Sequence, residues 1–588
     1  MKKFILPFLI LFVAFMCTGM LLSQENKEDT KFQKTVDKYM EAYWKFFPTA
    51  ATLAGFHNFY NKLEDLSERN LAKRQEELDD FNQQLVAEID KSLLSADLQI
   101  EHELIIDGLD LDLMQSEQLL PWEYNPLFYN NILNYTIKAL INSETVPAEN
   151  RSKGALERLK DMPKLLKQAR ENLKTPAQVF TEIAIKQFPG ILNFYKTDLP
   201  QWIDQSGGSN KAKLQQSLAK VVPELEGYQA FLQNELLGRS TGTFQLREAH
   251  PRLQRNTYQN TIPVADLVAQ AQADINNNRR AMFLCCLGLY PIMDPQINLD
   301  QPPSNLSEEQ LRNHVIGHVL DKIKDDHVSK DEFLNKVKET VGQVKAFMME
   351  KDFCEFMGGD LNIEAMPEEF RGKTWFRLVK PALYSTVNNY SFQIAPFNDE
   401  LTDEQVTQLL EEYNNDLLPF WVVQNIYPGT FVPTVATHQN PSLIKKLYAN
   451  QPLIKGWALI FREKLVPAGF MDYDIHVRLN QLKFQIRAAQ DFILDINIHQ
   501  SGMSKDDAIR YMTNLGFRTQ AEAERNYNEI ALNPGEAAYA YVGYQEILAM
   551  EKEYKNLKGD SYSLKEFMSE LLRYGAIPIR NLRSKILQ

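Results

Sequence analysis

The sequence predicts a mainly α-helical protein in two lobes. From Thr30 to about Leu237 apolar residues return at three-and-four spacing, broken by Pro or Gly, as amphipathic helices require. The main departure lies between Lys373 and Pro396, where the pattern changes to alternation. A chain of 588 residues with 44% hydrophobic and 24% charged residues also supplies a large core, enough for two lobes.

Charge and the first residues bound the function. The net charge is -13 and no Lys/Arg-rich block stands out, which argues against nucleic acid as a partner. Lys2 and Lys3 precede an apolar run, Phe4 to Met16, and the chain turns polar at Ser23-Gln24-Glu25. That is the layout of a secretory signal over residues 1–24, so the mature chain is expected in the periplasm or cell envelope, or secreted. Contact with a membrane would then come only through this segment. Cys17 follows Ala14-Phe15-Met16, a poor lipoprotein box, so a lipid anchor on Cys17 and an uncleaved span over Phe4–Leu22 stand as alternatives. Cys285 and Cys286 sit in the apolar run AMFLCCLGLY and read as packing, and no C-x-x-C zinc knuckle exists.

Along the chain, Pro48 ends the first helix and Gly55 permits a turn before the next. The aromatic residues around Tyr39, Tyr43, Trp44 and Phe56 read as core at helical spacing, with a stacking surface as the alternative. Helices are expected over 63–94 and 148–173, a polar loop over 198–210, a further helix over 262–287 and a Pro-rich connection over 291–307. His314, His318 and Asp321 share a helix face and invite a metal reading. Val315 stands where a zinc-peptidase helix needs its glutamate, and three such ligands span about 10 Å of axis, too far to converge on one ion at bonds of about 2 Å. In the alternating stretch Tyr390, Phe392 and Ile394 share one side, which predicts a small β element near 388–395. Over 474–500 a helix carries Arg487, Asp491, Asp495 and His499 at four-residue intervals on one face.

The centre of the chain is 421–460, WVVQNIYPGTFVPTVATHQNPSLIKKLYANQPLIKGWALI. Its frame, Tyr427-Pro428-Gly429 and then Gly456-Trp457-Ala458-Leu459, resembles the bacterial domain of unknown function 885 family, which groups with zinc metallopeptidases of the glutamate-zincin type. There the segments read H-E-x-x-P-G-H and E-G-W-A. In this chain those positions hold Gln424, Asn425, Thr430 and Lys455. Further matches are Pro48, Ala51, Thr52, Gly55 and His57 for P-x-x-A-T-x-x-G-x-H, a P-A-x-Y element before an extended run, Asp495 and His499 for D-x-G-L-H, and Pro534-Gly535-Glu536-Ala537 for P-G-Q-A.

The resemblance implies a two-lobed, metallopeptidase-like fold around a deep cleft, with lobes over 25–370 and 371–588. It also implies zinc in the family's working members and an edge strand that holds substrate by strand addition. A catalytic zinc needs three imidazole or carboxylate ligands and a general base. Gln424 and Thr430 offer weak neutral oxygens, Asn425 cannot take a proton, and Lys455 places a cation where a dication would sit. The expectation is therefore a zinc-free, non-hydrolytic protein that binds a peptide or small acidic ligand, with Tyr390, Lys455, Arg487, Asp495 and His499 as binding candidates. The 487–499 stripe has a second reading, as ion pairs between helices. Two alternatives are kept: a hydrolase with zinc on other residues such as His438, His476 and His499, or without metal, and a structural envelope lipoprotein. An ammonium at Lys455 needs an anionic partner if buried, either an internal carboxylate or a ligand's.

Overall fold

Asn26 starts the described chain by accepting the amides of Glu28 and Asp29, and this cap opens the first helix, α1 (Lys27–Phe46). The structure is a computed structural model that describes residues 26–143, 146–293, 307–355, 359–397 and 401–587. The signal segment with Cys17, and most of the Pro-rich connection, lie outside these residues.

Among the described residues helices dominate, as the periodicity requires, with one small sheet. Pro48 opens α2 (Pro48–Ala54), and Gly55 closes it in the left-handed region at φ 86°. This segment is held from beneath by the fully buried Arg158 of α3 (Ala148–Asn172), which donates to the Thr52 hydroxyl at 2.6 Å and the Pro48 carbonyl at 3.1 Å. The Gly55 turn backs onto Ala382 and Tyr384, and the Tyr384 amide donates to the Ala54 carbonyl at 2.9 Å. Two segments that resemble family motifs far apart in sequence thus pack on each other.

The region expected as a polar loop over 198–210 contains the helix Leu199–Ser206. Leu199 and Ile203 are four apart and both buried, and Pro200 stands in the first turn, where a missing amide hydrogen costs nothing. The apolar pair outweighs the polar composition. The expected helix over 262–287 extends as α4 (Val264–Met293) and packs against α5 (Glu308–Ile323).

The sheet has three strands, β1 (Asp360–Ala365), β2 (Phe376–Val379) and β3 (Asn389–Ile394), in the order β1-β3-β2. β3 runs parallel to β1, with Leu361 opposite Tyr390, and antiparallel to β2, with Leu378 opposite Phe392. The strand holding Tyr390 is therefore central rather than an edge, paired with β1 over 389–394 and with β2 over 391–394. Tyr390, Phe392 and Ile394 are buried in the core.

The C-terminal half adds α6 (Leu418–Asn425), α7 (Phe431–His438), α8 (Gln451–Leu465), α9 (Ile475–Ile496), α10 (Gln520–Leu532) and α11 (Tyr539–Lys558). The largest hydrophobic cluster joins Phe32, Tyr39 and Trp44 of α1 to Trp421, Trp457 and residues as far as Ile586. α8 and α11 approach closely at Gly456 and Gly543. A Cβ on Gly456 would lie 2.3 Å from the Gly543 carbonyl carbon, and one on Gly543 would lie 1.7 Å from the Pro452 oxygen. Only glycine admits this approach, which seats Trp457 in the core with its indole 3.4 Å from the Met568 carbonyl. Among the described residues no helix is long and apolar enough to cross a membrane.

Candidate functional site

The four positions that the resemblance places at the metal line one cavity of about 920 Å³. α6 delivers Gln424 and Asn425 in its last turn and then stops, because Ile426 leaves helical geometry and Pro428 has no amide to continue the ladder. Asn425 bonds back to the Trp421 carbonyl at 3.1 Å, and the Thr430 hydroxyl donates to the Asn425 carbonyl at 2.6 Å. Gln424 Oε1 accepts from the buried guanidinium of Arg462.

From α8, Asn450 caps the first turn by accepting the Leu453 amide at 2.7 Å. Lys455 then faces the cavity one turn into the helix, and Arg462 lines it two turns later. The opposite wall comes from α10, where Arg525 bonds Glu522 at 2.6 Å and Glu529 at 2.7 Å, and from the turn carrying Glu536. Lys373, Arg377 and Lys380 approach along the β2 segment, and Trp44 from α1.

The electrostatics run against the whole chain. Nine lysines and arginines line the cavity against four carboxylates among the described residues, in a protein of net charge -13. Several cations are already engaged: Arg518 grips Asp491 through two contacts of 2.7 and 2.8 Å, and Arg487 holds the buried Glu412. Lys373, Lys380, Lys446 and Lys455 make no side-chain hydrogen bond or ion pair with any described residue. Burial lowers Lys455 below the usual lysine range, while Glu536 and Glu529 pull it back up at longer range. Burial likewise raises the Glu536 carboxyl, opposed by Lys373 and Lys455. Burial also brings Arg462 down to about 9.

Of the five binding candidates, Lys455 and Arg487 line the cavity and the other three do not. Tyr390 is buried edge-to-face on Phe431 at 5.3 Å, and burial raises its hydroxyl to about 12. Asp495 and His499 are fully buried, and Asp495 does not bond His499. It accepts instead from His250 Nε2 at 2.9 Å, Tyr258 at 3.1 Å and the Gly535 amide at 2.7 Å. His499 Nε2 meets the Ile530 carbonyl at 2.8 Å. The 487–499 stripe is thus one face whose members each bind a different neighbouring element, rather than one another. Arg462 is not among the residues expected at the site; its signal in the sequence is a charge seven residues after Lys455 inside the apolar run GWALIFREKL.

The donors present do not fit a catalytic zinc. Two amides, a hydroxyl and an ammonium stand at the four positions, and three of them are engaged by other groups. The alternative trio is not assembled either. His438 meets the Ser385 carbonyl at 3.2 Å, His476 lies beside Asp474, and His499 is fixed on Ile530. Among the described residues no group of three or more His, Cys, Asp or Glu side chains is placed to hold a metal, and that includes His314, His318 and Asp321.

These features define a helical protein built around a central cationic cavity. The sequence matches the bacterial protein family of unknown function DUF885 over residues 48–586, and the chain belongs to that family. A presumed lipoprotein of unknown function from Shewanella oneidensis has a similar solved structure, with 23% identity, a TM-score of 0.78, and coverage of 95% of this chain and 100% of that one. The solved structure of a presumed lipoprotein from Colwellia psychrerythraea is similar at 14% identity and a TM-score of 0.71, covering 95% of this chain and 98% of that one. At these identities the likeness is one of fold. None of the curated proteins is significantly similar to the chain.

Proposed function

We propose that this protein is an exported, metallopeptidase-like ligand binder that neither holds zinc nor cleaves peptide bonds, and that the cavity receives a peptide or related ligand carrying negative charge. The observation that carries the reading is the cavity lining. The positions aligned with the zinc ligands and general base open onto a space of about 920 Å³, and supply no imidazole, no carboxylate and one unpaired ammonium. A volume of this size suits a short peptide or a drug-sized molecule. Excess cations on walls of low dielectric favour an anionic occupant. The export part of the reading rests on Lys2, Lys3 and the apolar run, with the presumed-lipoprotein description of the two similar structures in agreement. A purely structural envelope role gains nothing from a cavity with unpaired lysines.

Elemental analysis after dialysis, run beside a peptide-library assay for binding and for cleavage, tests the proposal. The expected result is less than stoichiometric zinc, no cleavage, and enrichment of acidic or free-acid peptides. About one zinc per chain, lost on chelation together with an activity, would overturn it.

A further inference from the structure

We infer that Arg462 and Lys455 form a carboxylate-binding subsite in the cavity, with Gln424 fixing the guanidinium. This inference rests on the ligand-binding reading above and names the ligand's anchoring group. Arg462 is 1% exposed yet lines the cavity. Its Nη1 donates to Gln424, and its plane lies over Phe484 with the central carbon 4.7 Å from the ring centroid. Nε and Nη2 meet no acceptor. Those two nitrogens form the edge of the guanidinium fork that takes a carboxylate side-on through two parallel hydrogen bonds.

Among the described residues no carboxylate fills this role. Glu463 and Asp491 are the acidic groups that act on Arg462 at longer range. Glu463 is held by the Tyr544 hydroxyl at 2.7 Å, and Asp491 by Arg518. A buried guanidinium with an empty edge is costly, so a bound anion would gain what the chain itself leaves unsatisfied. Lys455 contributes the second charge from the same helix, about 10.5 Å along the axis, a span that two long side chains can close from its ends. Glu536 stands against this pair and Glu529 is committed to Arg525 and the Trp375 amide. Two cations facing one carboxylate leave about one positive charge, which matches a monoanion better than a dianionic phosphate.

Calorimetric titration of the full mature chain tests the subsite with four probes: Ala-Ala-Phe, its C-terminal amide, N-acetyl-Ala-Glu-Ala-amide and inorganic phosphate. The free acid should bind at least tenfold tighter than its amide. Arg462→Met and Lys455→Met should each remove that advantage. Comparable binding of the acetylated glutamyl peptide would support the subsite and assign its carboxylate to a side chain, whereas weak binding would assign it to the peptide terminus. Equal affinity for acid and amide would sink the subsite and leave the broader reading standing. Phosphate binding tighter than either carboxylate peptide would also overturn it, and no binding by any peptide would overturn both readings. Should Arg462→Met fail to fold, Lys455→Met decides the matter, because Lys455 is only half-buried and has no partner to lose.

Discussion

Asp495 accepts the Gly535 amide at 2.7 Å and so fixes the turn that carries Glu536 into the cavity. The same carboxylate takes His250 and Tyr258 from the segment around 250–258. It joins three parts of the chain from a position with no solvent access, and its influence on the cavity passes through the turn.

Asp495→Ala should accordingly act on stability first. It strands three donors in the interior, which costs about 3–5 kcal/mol when a buried charged acceptor is removed. Thermal melting and urea unfolding are expected to show that loss, with affinity of the remaining folded protein for an acidic peptide changed less than threefold. Unchanged melting with lost binding would make Asp495 a contact residue instead.

A second carboxylate, Glu412, is enclosed by Arg487 at 2.5 Å and Lys483 at 3.3 Å. Burial pushes its carboxyl up, but the two cations outweigh burial and hold it at about 2, below the ordinary 4.5. The folded state therefore binds the proton less well than the unfolded state. The resulting stability is fully present above about pH 4.5 and is lost as pH falls toward 2. Glu412→Gln should remove that acid-range dependence and cost about 3–5 kcal/mol at neutral pH by leaving the two cations unpaired. Chemical denaturation of both proteins between pH 2.5 and 7 checks the sign. An equal slope in the two would show that Glu412 does not carry it.

Much of the fold was legible because helical periodicity is local. The helices over 148–172 and 475–496 fall within a few residues of their expected limits. β3 was legible through Tyr390, Phe392 and Ile394, whereas β1 and β2 were not. DLNIEA alternates at Leu361, Ile363 and Ala365 but lies outside the stretch expected to be extended, FRLV is too short to show a period, and the strand state of both is fixed by pairing with β3. The cavity positions Gln424, Asn425, Thr430 and Lys455 were legible through motif spacing. What spacing could not reveal is partnership. Nothing local to Asp495 says that its proton donors lie 245 and 237 residues earlier, or that the hydrogen-bond partner of Arg462 among the described residues is Gln424.

The crossing of α8 and α11 gives a purely steric prediction. A methyl group at residue 543 would meet the Pro452 carbonyl oxygen at 1.7 Å, and that atom belongs to backbone and cannot swing aside. Gly543→Ala should cost about 3 kcal/mol or more, at the upper end of overpacking penalties. Gly288→Ala is the control, since nothing lies within 4 Å of the added carbon and an exposed helix position gains propensity from alanine. Equilibrium unfolding compares them. Similar stabilities for the two variants would show that the helices can separate without cost.

Lys455 offers the sharpest separation between an internal pair and a ligand site. No carboxylate lies within ion-pair distance of its ammonium among the described residues, and burial depresses its pKa below 10.5 despite the pull of Glu536 and Glu529. A lysine whose folded pKa is lowered binds its proton more tightly in the unfolded chain. Stability therefore rises with pH through the folded pKa and on toward 10.5, and the ammonium is a burden on the fold at neutral pH. Lys455→Met keeps the stem's length and removes that burden. Its melting temperature at pH 7 should match or exceed the parent's, and the part of the alkaline stability gain that belongs to Lys455 should disappear. A fall of more than about 1 kcal/mol at pH 7 would reveal an internal anionic partner that forms in solution, and would assign the charge to the fold rather than to a bound ligand.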